Sequence, residues 1–177
     1  MPTDTVYGIA CLPDRADGVA AIFDLKGRPD DKPLPVLGAS LEDLAGVARF
    51  DEKARAVAER HWPGPLTLVL PRAPGFAHDL GGTDRQTVAV RVPRSALALA
   101  LLDEVGPLAV TSANRSGGTP ASIVRDARAS FGDSIKVYLD GGVCDAPAST
   151  VVSLLDGLRI LRPGPVSEDQ LRQIVTS

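Results

Sequence analysis

The sequence predicts an α/β protein whose sheet runs in mixed directions. Helical and strand patterns alternate along most of its 177 residues. β-branched runs such as Thr87–Val92 stop at a proline or glycine. Asp156-Gly157 lies between two apolar runs, a tight hairpin signal foreign to an all-parallel sheet. The length fits one domain with a real core. Apolar residues make up 44% and charged residues 23%, as in an ordinary globular chain. The formal net charge of -3 opposes non-specific nucleic-acid binding as the main task. Aromatic residues, at 4%, leave few stacking platforms for single strands. Cys11 and Cys144 are far apart and in no C-x-x-C, which fits two reduced thiols in a cytoplasmic protein. No apolar run reaches membrane length, and no signal-peptide pattern opens the sequence.

Met1–Cys11 holds β-formers broken by Pro2 and Gly8 and reads as a short strand or loop. Asp14 and Asp17 are candidate caps for a helix over Asp17–Leu25, with Val19, Ile22, Phe23 and Leu25 on one face. Gly27 and Pro29 end it. Pro33–Gly38 reads as a strand. Ser40-Leu41-Glu42-Asp43 resembles a capping box and opens a helix to Ala48. Asp51 caps Glu52–His61, with Ala54, Val57 and Ala58 inward. Trp62-Pro63-Gly64-Pro65 is a rigid turn before a strand at Leu66–Leu70. Arg72–Arg85, rich in Pro, Gly and polar residues, reads as a mobile surface loop. Ser95–Glu104 is an Ala/Leu-rich helix expected to be mostly buried. Leu108–Thr111 is a strand running into Ser112. Ser122 caps a helix to Ser130, and Ile135–Leu139 reads as another strand before a Gly141-Gly142 turn. Thr150–Leu155 and Leu158–Leu161 form the hairpin. Ser167-Glu168-Asp169-Gln170 is a second capping box, opening the last helix.

Three segments suggest an anionic ligand. Thr3 and Thr5 place hydroxyls near the start. Lys26, Arg28 and Lys32 cluster at a helix exit, and Arg91 and Arg162 stand at strand ends. A triphosphate carries about four negative charges, so its site needs several cations or an ion. The same cluster also fits a solvated turn neutralised by Asp24, Asp30 and Asp31. Ser112 and Asn114 occupy alternate positions past a strand end, so both side chains can serve one side. Asn114 through Gly118 equally fits plain turn chemistry. There is no Walker-type loop, no G-x-G-x-x-G and no G-x-S-x-G elbow around Ser116. His61 and His78 lack metal-ligand spacing, so no protein metal site is expected.

The ordered set Pro2-Thr3-Asp4-Thr5-Val6-Tyr7-Gly8, Lys26-Gly27-Arg28-Pro29, Trp62-Pro63-Gly64-Pro65-Leu66-Thr67, Arg91-Val92-Pro93, Thr111-Ser112-Ala113-Asn114-Arg115-Ser116-Gly117, Ser149-Thr150-Val151-Val152 and Ile160-Leu161-Arg162-Pro163-Gly164 resembles the YrdC/Sua5 family of threonylcarbamoyl-AMP synthases. The resemblance runs over essentially the whole chain, in the short single-domain form, residues 1–177. It implies a YrdC-like twisted mixed sheet with flanking helices around a large, positively lined cavity. It also implies a nucleotidyltransferase. L-threonine, bicarbonate or CO2, and ATP would give threonylcarbamoyl-AMP and pyrophosphate. A partner tRNA threonylcarbamoyl transferase would then modify the adenosine next to the anticodon. By this resemblance Lys26, Arg28, Ser112 and Asn114 are catalytic. They join Lys32 and Arg162 in binding ATP, whose Mg2+ arrives with the nucleotide. Thr5, Arg91 and Ser149 bind threonine, with Arg91 on its carboxylate.

The family often has histidine where Leu37 and Ser95 stand here, which puts one threonine contact at Leu37 in question. Its members carry a helix and a strand before the Pro-Thr-Asp-Thr segment. The resemblance therefore implies that this upstream element is missing and that the sequence is a truncated or mis-started form. Two other readings remain open here. One is a double-stranded RNA-binding or ribosome-maturation module of the same fold, contacting tRNA or other RNA. The other is the related domain of hydrogenase-maturation carbamoyltransferases, whose acylphosphatase and zinc-binding segments are absent.

Overall fold

The computed structural model describes residues 1–29 and 31–175. Asp30, one of the carboxylates expected near the cation cluster, lies outside them. Seven strands form one sheet in the order β1-β5-β2-β4-β3-β6-β7. They are β1 (Gly8–Cys11), β2 (Val36–Leu37), β3 (Leu66–Pro71), β4 (Thr87–Arg91), β5 (Leu108–Ser112), β6 (Thr150–Ser153) and β7 (Arg159–Arg162). The helices are α1 (Ala16–Lys26), α2 (Leu41–Ala45), α3 (Glu52–His61), α4 (Ala96–Val105), α5 (Val124–Phe131) and α6 (Glu168–Val175). The mixed direction is as the sequence predicts. β2 runs parallel to β4 and β3 to β6, and the other pairings are antiparallel, the β6–β7 hairpin among them.

Strand alternation sorts the side chains onto two faces. Leu66, Leu68, Leu70, Val88, Val90 and Val152 enter the main core, which Val19 and Ile22 of α1, Val57 of α3 and Leu171 of α6 complete. Thr67, Val69, Ala89, Arg91 and Val151, one residue out of phase, line a cavity on the other face. A one-residue register slip would exchange these sets, so core burial fixes which side chains the cavity receives.

The caps of α2 and α3 form as expected. Ser40 and Asp43 make a reciprocal capping box, and Asp51 accepts from Ala54 N–H at 2.8 Å. Ser167 and Gln170 do the same for α6. Several expectations are corrected. α1 begins at Ala16 with Arg15 in the cap position, and its Asp17 pairs with Arg15 instead of capping. α2 stops at Ala45, with Gly46 in the C-cap position, and Val47 and Ala48 form a closing turn on Leu44 O. α5 starts one residue later than expected, with no side-chain cap. α4 is largely exposed: Ala98 and Leu102 are buried, but Leu97 and Val105 face out. The 72–85 loop is anchored, since Leu80 is fully buried and its carbonyl accepts from Leu34 N–H.

The expected strand at 135–139 does not form. Its Tyr138 hydroxyl donates to Gly132 O, and Arg128 of α5 covers the Tyr138 ring. Val137 is left 68% exposed. The segment packs on α5 through side chains and pairs with no described strand. Its β-propensity therefore has no ladder to join.

Candidate active site

The K-x-R and S-x-N segments are built into each other. Gly27 takes a left-handed conformation, φ 58°, and its N–H closes the last turn of α1 on Asp24 O. That turn aims Lys26 inward, where it is only 3% exposed. Its ammonium donates to Ser112 O and Asn114 O, both at 2.6 Å, and to Asn114 Oδ1 at 3.4 Å. In return Ser116 N–H donates to Lys26 O at 2.7 Å. Burial, aided by the field of Arg28, pushes the Lys26 ammonium down to about 8.

Asn114 is equally occupied. Its Oδ1 also accepts from Ser112 Oγ at 2.5 Å, and its Nδ2 donates to Arg115 O and Gly118 O at 2.8 Å. Lys26 and Asn114 thus spend their hydrogen-bonding capacity on the protein. Both stand behind the cavity wall, while Ser112 lies on it.

The cavity encloses about 460 Å³ above the sheet. Of the sequence-predicted residues, Thr5, Arg28, Lys32, Arg91, Ser112, Ser149 and Arg162 line it. Among the described residues, four cations therefore face one carboxylate, Asp31. Arg28 donates to Lys32 O at 2.8 Å, Pro33 O at 3.1 Å and Thr111 Oγ1 at 3.4 Å. Arg162 donates to Ser149 O at 3.1 and 2.9 Å and to Ser149 Oγ at 3.1 Å. Ser149 Oγ is also hydrogen-bonded to Thr67 Oγ1 at 2.9 Å. Burial lowers the proton affinity of both guanidinium groups, which stay charged at neutral pH. Between the cations the floor is apolar, made by Leu37, Val69, Ala89, Val110 and Val151. A second depression, about 570 Å³ between α3 and α6, holds none of these residues.

Arg91 occupies the end of the cavity near the first residues. It is 6% exposed. Its Nε donates to Gly64 O at 3.0 Å, Nη1 to Thr5 Oγ1 at 3.3 Å, and Nη2 to the Asp4 carboxylate. Gly64 is required there, because a Cβ would sit 2.3 Å from His61 O. Thr3 Oγ1 holds the Asp4 turn by accepting from Thr5 and Val6 N–H and donating to Val6 O. Asp4 and Gly64 were not singled out from the sequence. A buried arginine at a strand end was the available signal for Asp4, since such a charge demands a nearby carboxylate.

No group of three or more His, Cys, Asp or Glu among the described residues could hold a metal ion. No described helix is long and apolar enough to cross a membrane.

A mixed sheet with cations gathered over one face offers a cavity whose charge suits anionic groups. The chain belongs to the Sua5/YciO/YrdC family, whose profile, described as telomere recombination, matches residues 1–164. A Mycobacterium tuberculosis protein is 43% identical over 99% of this chain and 82% of its own. The threonylcarbamoyl-AMP synthase of Bacillus subtilis is 39% identical over 99% of this chain and 52% of its own. The structure of Pyrococcus abyssi Sua5 complexed with L-threonine superposes with a TM-score of 0.91. It is 36% identical, covering 98% of this chain and 52% of that one. The chain thus spans about half the length of the Bacillus and Pyrococcus proteins.

Proposed function

We propose that this chain is an L-threonylcarbamoyladenylate synthase, a nucleotidyltransferase joining L-threonine, bicarbonate and ATP into threonylcarbamoyl-AMP, pyrophosphate and water. One observation carries the reading: Arg28, Lys32, Arg91 and Arg162 converge with the hydroxyls of Thr5, Ser112 and Ser149 on a single cavity. The family relationship and the threonine-bound Pyrococcus neighbour support it.

The chemistry needs positioning and charge neutralisation, because ATP and bicarbonate are anionic, threonine brings a carboxylate, and its carbamate adds a second negative charge. The threonine amine first condenses with bicarbonate, losing water, to give a carbamate. A carbamate oxygen then attacks the α-phosphorus in line, and pyrophosphate leaves. Arg28, Lys32 and Arg162 hold the phosphates and offset the charge that builds on the leaving group. Ser112 Oγ lies on the wall as a hydrogen-bonding group for the nucleotide. Lys26 and Asn114 serve the step by fixing Ser112 and the turn that follows it. Arg91 has five N–H groups and uses three on Gly64, Thr5 and Asp4, so two remain for the threonine carboxylate. Thr5 and Ser149 flank it. No covalent nucleophile is required. Mg2+ would arrive with the polyphosphate and offset its charge, since among the described residues Asp31 is the one carboxylate lining the cavity. The product passes to a separate transferase acting on tRNA. The cations used here converge inward, which favours a small-molecule reaction over an RNA-binding face.

The test is pyrophosphate release from ATP. Release should require both L-threonine and bicarbonate. Release that ignores threonine would overturn the assignment.

Leu37 supplies a second expectation. It pairs in register with Arg91 across β2 and β4 and lines the cavity. An imidazole there adds a polar group beside the threonine carboxylate. Leu37→His should therefore lower the KM for threonine more than that for ATP. Equal changes, or none, would remove this position from the threonine end.

A further inference from the structure

We infer that Asp4 selects ligands by charge: paired with Arg91, it reserves that end of the cavity for a single carboxylate and leaves polyphosphate to Arg28, Lys32 and Arg162. The inference rests on the synthase reading for which ligand occupies each end.

The four cations share one space of about 460 Å³. Unopposed, each would attract a polyphosphate, and released pyrophosphate would compete with the amino acid. The structure treats the ends differently. Among the described residues, Arg28 and Arg162 are hydrogen-bonded only to neutral oxygens, carbonyls and hydroxyls, and neither forms an ion pair. Asp31 is exposed at the rim, where water screens its effect on Arg28. Among the described residues, Arg91 is the cavity cation that forms an ion pair. Its side chain is 7% exposed and that of Asp4 is 11% exposed, so solvent screens the pair little. A multiply charged anion meets almost no net charge there, because Asp4 behind the wall offsets Arg91. An amino acid is different. It carries no net charge, and the two remaining N–H groups of Arg91 give its carboxylate directional bonds. Asp4 itself is not on the cavity wall, so it acts through Arg91 and is a positioning residue.

Equilibrium binding tests this with pyrophosphate as the probe. In the unaltered protein, pyrophosphate should displace ATP and leave the apparent Kd for L-threonine unchanged. In Asp4→Asn, the same pyrophosphate concentration should raise the apparent Kd for threonine roughly tenfold, because the unopposed guanidinium now attracts the polyanion. Asp4→Glu, which keeps the charge, should restore resistance to pyrophosphate. Pyrophosphate that displaces threonine from the unaltered protein overturns the inference, and this arm stands even if Asp4→Asn fails to fold. So does an Asp4→Asn protein that binds threonine weakly but without competition, since Asp4 would then only aim Arg91. Failure of the unaltered protein to bind threonine counts against the synthase reading instead. Acetate then replaces threonine as the carboxylate probe, and competition by pyrophosphate decides the role of Asp4 as before.

Discussion

Lys26→Ala should both destabilise the protein and nearly abolish turnover. The ammonium satisfies Ser112 O, Asn114 O and Asn114 Oδ1 in a region shut off from water. Removing it strands acceptors that each cost about 1–3 kcal/mol when buried without a partner. One term opposes this loss. Depression from the ordinary value of 10.5 to about 8 means that burying the charge costs about 3 kcal/mol, which the substitution relieves. The stranded acceptors and the emptied space outweigh it, so a net loss of about 2–4 kcal/mol is expected in denaturant melts. Activity should fall on the order of a hundredfold or more, because Ser112 loses its fixed position. The pH dependence gives a separate readout. Between pH 8 and 10.5 the unfolded chain binds the Lys26 proton and the folded one does not, so this group makes stability rise with pH across that window. Lys26→Met should remove that rise. A Lys26→Ala protein as stable and active as the parent would refute the clamp.

Where the sequence carried its own chemistry, the fold was legible. Asp51, Ser40 and Ser167 cap helices through side-chain bonds one turn away, and Asp156-Gly157 turns the β6–β7 hairpin. Long-range partners decided the rest. Residues 135–139 have strand composition, yet a strand exists only where a neighbour offers a ladder, and α5 claims Tyr138 instead. The same limit applied to the site. Motif spacing named Lys26 and Asn114, but whether a side chain faces a cavity or the wall behind it depends on residues more than eighty positions away. The buried pairing of Arg91 with Asp4 spans a similar distance. Composition also hid the cavity. A net charge of -3 gives no sign that four cations face inward together.

Arg28→Ala should cost catalysis far more than stability, the reverse weighting from the buried lysine. Arg28 is half-buried at the cavity mouth, and two of its three partners, Lys32 O and Pro33 O, belong to the adjoining loop. Carbonyls there regain water when the guanidinium is removed, so the expected stability loss is only about 1 kcal/mol. The catalytic term is larger. A preorganised cation facing the phosphates contributes about 2–4 kcal/mol of transition-state stabilisation, or roughly a hundred- to a thousandfold in kcat/KM. ATP binding should weaken with it, because the backbone at Lys32 and Pro33 is tied down by the same fork. Threonine binding should change little, since Arg91 draws its support from Asp4, Thr5 and Gly64. Arg28→Lys separates charge from geometry. An ammonium cannot reproduce the planar fork that reaches Lys32 O and Pro33 O together. If charge alone matters, the lysine variant recovers most of the rate. If the tied loop matters, it recovers little, and its KM for ATP stays high while that for threonine stays normal. An alanine variant with parental kcat/KM, or one whose threonine and ATP constants shift equally, would take Arg28 out of the phosphate site.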